Sequence, residues 1–284
     1  MNEICLDEIR LNKLKNSFDF YSGDSPLIIS IPHAGIVLPM DIACNMTPQA
    51  LKMTDVDWHL TRLYDMAQAY GASVISANMM RYVIDLNRSP DNKSLYPGLD
   101  TTGLCPIDTF DKKPIYKPGK MPNEAEIQKR IVQFWQPYHH KLASELKRLH
   151  AIHGIALLWD AHSIASNVPR FFKGKLPDLN FGTADLQSCD ASLQDTIANS
   201  LQKSAIAKKY SHVFNGRFKG GYITRHYGVP TLNIHAIQLE ISQCIYMQEQ
   251  LPYRYDSVLA DSLKPVLSEL LETCISWASC HKVN

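Results

Sequence analysis

Several short stretches of this chain end an apolar run in side chains able to do chemistry. Ser-Ile-Pro-His-Ala-Gly delivers His33, and Trp-Asp-Ala-His-Ser delivers Asp160 and His162. Arg-Tyr-Val-Ile-Asp-Leu-Asn-Arg-Ser carries Arg81, Asp85, Asn87 and Arg88; Gly-Gly-Tyr-Ile-Thr-Arg-His-Tyr-Gly carries Arg225; Ile-Gln-Leu-Glu-Ile carries Glu240. Asp-Val-Asp-Trp-His adds Asp55, Asp57 and His59. A catalytic divalent metal needs nitrogen and oxygen donors from several elements, with one position left open. His33, His162 and one acid of Asp-Val-Asp-Trp-His meet that need. Each also has an ordinary reading: a histidine after a strand can be a hydrogen-bonded cap, and Asp57 can be an exposed acid in a first helical turn. Glu240 is harder to explain away, because it interrupts an apolar alternation and a buried carboxylate needs a charged or metal partner. Arg81, Arg88 and Arg225 supply guanidinium forks suited to carboxylates, which points to a small acidic ligand.

These residues would converge if the apolar runs are strands of one open α/β sheet, because such sheets bind ligands outside their carboxyl ends. The pattern predicts strands over 25–32, 72–77, 79–87, 154–163, 211–214 and 230–242. It predicts helices from about 47 or 54 to 70, ended by Gly71, from 123 to 154 with a kink at Pro137, over 191–207, and over 256–278 with an interruption at Pro265. Strands alternating with amphipathic helices imply a layered α/β domain spanning 1–284, with helices on both sheet faces. Between Ser89 and Pro122, six prolines and three glycines exclude regular structure. The apolar and aromatic residues Leu95, Tyr96, Leu99, Phe110 and Tyr116 suit an ordered lid over a floppy linker.

Composition narrows the function further. The 284 residues are 45% hydrophobic and 20% charged with a net charge of +1, enough apolar material for a large core and no surplus charge for nucleic acid. No run reaches the length of a membrane span and the N-terminus lacks a leader pattern, so the expected location is cytoplasmic. Seven scattered cysteines without a Cys-x-x-Cys pair read as free thiols. Oligomeric state is not encoded in any of this.

Taken together, the motifs at 30–35, 55–64, 81–90, 159–163, 220–228 and 237–241 resemble the N-formylglutamate amidohydrolase family, in family order. That family is distantly similar to zinc carboxypeptidases and aspartoacylases, so the resemblance implies a phosphorylase/hydrolase-like three-layer fold with a mixed twisted sheet. It implies metal ligation by His33, Asp57 and His162, with Asp55 as the other candidate acid, because the position three after His33 is Ile36. Zinc is the implied ion, and iron, cobalt or manganese suit the same donors. Glu240 becomes the general base, Asn87 and Arg88 a carboxylate clamp, Arg81 the group polarising the scissile carbonyl, and Arg225 a further substrate contact. The implied reaction releases formate and L-glutamate from N-formyl-L-glutamate in histidine degradation. Two other readings use the same residues: hydrolysis of a different N-acyl amino acid or peptide end, and a non-catalytic protein that binds acidic metabolites. Nucleophilic catalysis is less attractive, since no Gly-x-Ser-x-Gly elbow occurs and no cysteine lies in a strand-end motif.

Overall fold

A computed structural model describes residues 16–93, 98 and 100–281. The N-terminal residues with Cys5, and Leu95, Tyr96, Pro97 and Leu99 of the proline-rich segment, lie outside the described residues. The strands are β1 (Phe18–Tyr21), β2 (Leu27–Ile31), β3 (Ser73–Ala77), β4 (Ala156–Ile164), β5 (Leu179–Gly182), β6 (His212–Phe214) and β7 (Ile234–Ser242). They form one sheet in the order β1-β3-β2-β4-β7-β5-β6. β3, β2, β4 and β7 run parallel, whereas β1 and β5 are antiparallel to their neighbours β3 and β7, so the sheet is mixed.

The helices are α1 (Met40–Ala43), α2 (Leu60–Leu63), α3 (Glu124–Arg130), α4 (Gln136–His153), α5 (Ala191–Lys203), α6 (Tyr222–Tyr227) and α7 (Ser257–Cys280). Strand periodicity sorts the core into two layers. Leu27, Ile29 and Ile31 of β2, Leu157, Trp159 and Ala161 of β4, and Ile237, Leu239 and Ile241 of β7 pack with α5 and α7. Ile28, Ala156, Leu158 and Ala236 face the other way, onto Tyr138, Leu142, Leu146 and Leu149 of α4. Further along that second face the apolar sequence stops. Ser30, Asp160, His162, Gln238 and Glu240 occupy the next positions, all buried, and the Ser30 hydroxyl lies 3.0 Å from the Tyr138 hydroxyl. One face of the parallel core therefore turns polar at its carboxyl edge.

Several predicted elements change form. Residues 79–87 are buried throughout, yet they make no strand: Met79 bridges Val37 and the chain then turns, with Val83 N donating to Met80 O and Arg88 N to Asp85 O. Continuous apolar sequence reported burial there, not extended backbone. The helix expected up to residue 70 breaks into 3₁₀ turns at Ala50–Lys52 and Asp65–Tyr70 around α2, because Met53 and His59 adopt left-handed φ of 54° and 63°. Gly71 ends it at φ 64°, as expected.

The helix over 123–153 does form. The Asn123 side chain accepts from Glu126 N, and Gly154 stops it at φ 72°. A π turn at Ile131–Trp135 stands just before Pro137, where the ring would crowd the carbonyl of the preceding turn. α7 runs through Pro265 without interruption; that proline is exposed, so the carbonyl it leaves unpaired faces water. β1 and β5 have no counterpart in the sequence expectations. Among the described residues, no helix is long and apolar enough to cross a membrane.

Candidate active site

His33 follows β2 by two residues, after Pro32 has ended the strand. Its carbonyl accepts from Asp57 N at 3.1 Å, which brings the Asp-Val-Asp-Trp-His loop against the sheet edge. His162 lies within β4 opposite Glu240 of β7, so register alone places both side chains on the same face. Both imidazoles turn Nδ1 toward one carboxylate oxygen: Asp57 Oδ2 is 3.2 Å from His162 Nδ1 and 3.8 Å from His33 Nδ1. Ser163 N also donates to that carboxylate at 3.1 Å. One ligand atom from each of His33, Asp57 and His162 lies within 4.8 Å of the others, and all three residues are buried. Donors around a tetrahedral ion with bonds of ~2.1 Å stand about 3.4 Å apart, so this set fits a divalent cation with small inward shifts.

The outward nitrogens carry a second layer of support. His33 Nε2 lies 2.7 Å from Asp85 Oδ1, and His162 Nε2 lies 3.1 Å from Asp160 Oδ2. A proton on each Nε2 satisfies these carboxylates and leaves both Nδ1 atoms as lone-pair donors, the usual way a carboxylate fixes a metal-binding histidine. Asn87 Nδ2, 3.0 Å from His162 Nε2, then donates to Asp160 Oδ2 at 3.4 Å. Asp85 and Asp160 are fully buried, and both carboxylates are well partnered. Asp160 also accepts from Ser30 Oγ and Thr224 Oγ1, and Asp85 from Asn87 N and Arg81 Nη2.

The electrostatics follow from these contacts. Burial alone would raise the Asp85 carboxyl, but His33, Arg81 and Arg88 hold it well below the carboxylate range. Burial and Arg81 push His33 down, toward the neutral form that binds metals. Burial also opposes the charge on His162, yet Asp160, Asp57 and Glu240 outweigh it and raise that imidazole. Glu240 is pushed up to about 8, chiefly by burial, with Asp57 adding to the shift.

A cavity opens over this edge, lined by His33, His162, Glu240, Arg81, Asn87 and Arg88 among the expected residues. Arg81 is buried between Asp85, at 2.7 Å, and Asp57, at 3.8 Å, beneath the Phe110 ring. Arg88 is held by Thr102, donating to its carbonyl from Nε and to its hydroxyl from Nη2, not by the acids nearby; Asp85 takes His33 and Arg81, and Asp91 takes Lys93. Asn87 accepts from Ile223 N and packs so closely on Gly221 that a Cβ there would lie 2.2 Å from its amide nitrogen, which explains the glycine.

The structure does not bring every expected residue to the cavity. Arg225 sits in α6 with Nε donating to Gly220 O, outside the lining. Asp55 also points elsewhere, accepting from Thr54 Oγ1 and from Phe110 N at 2.8 Å each. His59, His226 and His235 are occupied by Tyr253 O, the Tyr222 ring and Asn233, respectively. Sequence reasoning missed Arg217, Phe171, Phe218 and Gln238 as lining residues. For Arg217, the only signal was an arginine beside Phe218 in a glycine-bounded turn.

The model of the N-formylglutamate amidohydrolase family matches residues 25–247. A protein named N-formylglutamate deformylase from Pseudomonas aeruginosa is 48% identical, over 91% of this chain and 96% of its own length. One of the same name from Pseudomonas putida is 47% identical, over 92% of this chain and 96% of its own length. The crystal structure of an N-formylglutamate amidohydrolase from Ralstonia eutropha shares the fold, with a TM-score of 0.76 at 24% identity over 93% of this chain and 97% of that one.

Proposed function

The chain belongs to the N-formylglutamate amidohydrolase family, and from that premise we propose that it hydrolyses N-formyl-L-glutamate to formate and L-glutamate. In this reading His33, Asp57 and His162 hold one divalent ion, zinc by the character of the donors, with iron, cobalt and manganese as competitors decided by supply. The observation that carries the reading is the convergence of that triad with Glu240 in one cavity with Arg81 and Arg88. It also favours an enzyme over a passive binder of acidic metabolites, because binding alone gives no use for a buried carboxyl beside a metal triad.

When bound, the ion supplies a lowered pKa for water and polarisation of the formyl oxygen. Glu240 accepts the proton of the attacking water and returns it to the departing nitrogen. Arg81, fixed by Asp85, lends positive charge to the developing oxyanion. Asn87 and Arg88 hold the carboxylate next to the scissile amide. Arg225 acts from outside, holding the Gly220–Gly221 turn that packs on Asn87. The reaction would close a route of histidine degradation. Hydrolysis of N-formyl-, N-acetyl- and N-succinyl-L-glutamate, measured side by side on protein of known metal content, tests the assignment. The formyl compound is expected to lead by at least about 10-fold in kcat/KM; faster cleavage of a larger acyl group would transfer the protein to another N-acyl substrate.

The segment 89–122 serves as the lid in this reading. Thr101 and Phe110 from it line the cavity, and Arg170 ties it down. Arg170 donates to Asp100 Oδ1 at 2.8 and 2.9 Å, to Asp108 Oδ1 at 2.8 Å and to Thr109 O at 2.7 Å. Arg170→Ala is expected to raise KM about 10-fold, with a smaller fall in kcat, and to speed proteolytic cleavage near 100–113. Unchanged KM and cleavage would remove the lid role.

A further inference from the structure

Resting on the metal reading above, we propose that Gln243 and Tyr246 are positioning residues for the ion: from the turn after β7 they fix the backbone on both sides of Asp57 and so hold its carboxylate ready between the two histidines. Asp57 lies outside the helices and strands, and a buried carbonyl in such a loop needs a donor from elsewhere. Val56 is buried, and its carbonyl accepts from Gln243 Nε2 at 3.0 Å. The Trp58 carbonyl accepts from the Tyr246 hydroxyl at 2.8 Å. The residues immediately before and after Asp57 are thus each held by a side chain of the same turn.

That turn is a 3₁₀ element, Gln243–Ile245, with Tyr246 N donating to Gln243 O at 3.1 Å. At about three residues per turn, positions 243 and 246 share a side, so one turn presents an amide and a phenol to the same loop. Both residues are buried, Tyr246 completely. The pair also reaches Ser163, the neighbour of His162, whose hydroxyl lies 2.7 Å from the Tyr246 hydroxyl and 3.4 Å from Gln243 Nε2. Ser163 N in turn donates to Asp57 Oδ2, and Asp57 N to the His33 carbonyl. The turn therefore fixes the loop that carries Asp57 against the strand that carries His162. Burial raises the Tyr246 phenol well above its ordinary range, which keeps it a donor. A loop held beforehand need not be ordered when the ion arrives, so its carboxylate binds more tightly. Neither Gln243 nor Tyr246 lines the cavity, so their effect on the ion is separate from substrate contacts.

The test titrates Zn²⁺ in competition with a chromophoric chelator on wild type, Gln243→Met, Tyr246→Phe and Tyr64→Phe, and records the melting temperature of each metal-free protein. Gln243→Met and Tyr246→Phe keep most of the side-chain volume and remove the donor. Tyr64→Phe is the control, because it also deletes a buried phenol hydroxyl, one that accepts from Trp159 Nε1 at 2.9 Å. Gln243→Met and Tyr246→Phe are each expected to weaken Zn²⁺ binding about 10-fold, the lower end of what a supporting partner of a ligand is worth. Tyr64→Phe should lower the melting temperature and leave Zn²⁺ affinity at the wild-type value. If either Gln243→Met or Tyr246→Phe binds Zn²⁺ as tightly as wild type, or if Tyr64→Phe weakens it equally, the paired clamp is overturned while the metal site stands. Should Tyr246→Phe fail to fold, Gln243→Met decides by the same criterion. If wild type holds no Zn²⁺, the metal reading falls and this inference falls with it.

Discussion

Glu240→Gln lowers kcat for N-formylglutamate by about 10³-fold while the protein keeps its metal, corresponding to about 4 kcal/mol of barrier. Glutamine has the size and polarity of the glutamate but cannot take a proton from water. The side chain lies on β7 opposite His162, outside the His33–Asp57–His162 donor set, so metal stoichiometry should stay at the wild-type value. Gln238 Nε2, 3.4 Å from Glu240 Oε2, can still donate to the amide oxygen of the substitute. Stability gives a second readout. In the metal-free folded protein, burial pushes this carboxyl up to about 8, against 4.5 for an ordinary glutamate. Its ionisation therefore favours the unfolded chain increasingly as pH rises from 4.5 to about 8. Metal-free Glu240→Gln should melt higher than metal-free wild type, with the gap widening across that window. Retained kcat would remove Glu240 from proton transfer; lost metal would make it a ligand.

The site was legible in sequence where chemistry and strand register coincide. His162 and Glu240 stand in apolar strands whose alternation dictates a shared face, and β4–β7 pairing sets them side by side. His33 was legible because Pro32 ends β2 and leaves the next residue at the sheet edge. The 81–88 stretch reaches the cavity on a different backbone from the one its pattern predicts: its apolar run predicted a strand, but Asp85 meets both His33 and Arg81, and a turn lets one carboxylate do so. A straight strand would send Arg81 and Asp85 to one face with fixed spacing and could not wrap His33.

Arg217 and Arg225 show the limit more sharply. Both are arginines near the same glycine pair, and the motif drew attention to Arg225. Gly220, at φ 112°, and the start of α6 then carry Arg225 away from the cavity, while the turn after β6 brings Arg217 to it. That choice depends on backbone turns that no periodicity reports. The same holds for β5, a four-residue strand without a distinctive pattern that forms because β7 offers it an antiparallel edge.

Asp57→Asn abolishes stoichiometric metal binding, whereas Asp55→Asn leaves about one ion per chain. The two acids differ by two positions and are both buried, yet their oxygens face different partners. Asp57 Oδ2 meets both imidazole Nδ1 atoms and takes the Ser163 amide hydrogen. An asparagine can still accept from Ser163 N, so the loop keeps its place, but it has lost the charge that an ion held by two neutral histidines requires. Metal affinity should fall by more than the ~10–100-fold typical of losing a supporting group, and activity should fall with it. Asp55 instead accepts from Thr54 and from Phe110 N, and burial pushes its carboxyl up despite those bonds. Its substitution loosens Phe110 at the cavity wall and should therefore appear in KM. Metal analysis by mass spectrometry after gel filtration, with a chelator competition for affinity, separates the two variants. Loss of metal from Asp55→Asn with retention in Asp57→Asn would move the ligand to Asp55, and the loop between His33 and α2 would have to turn by two residues to deliver it.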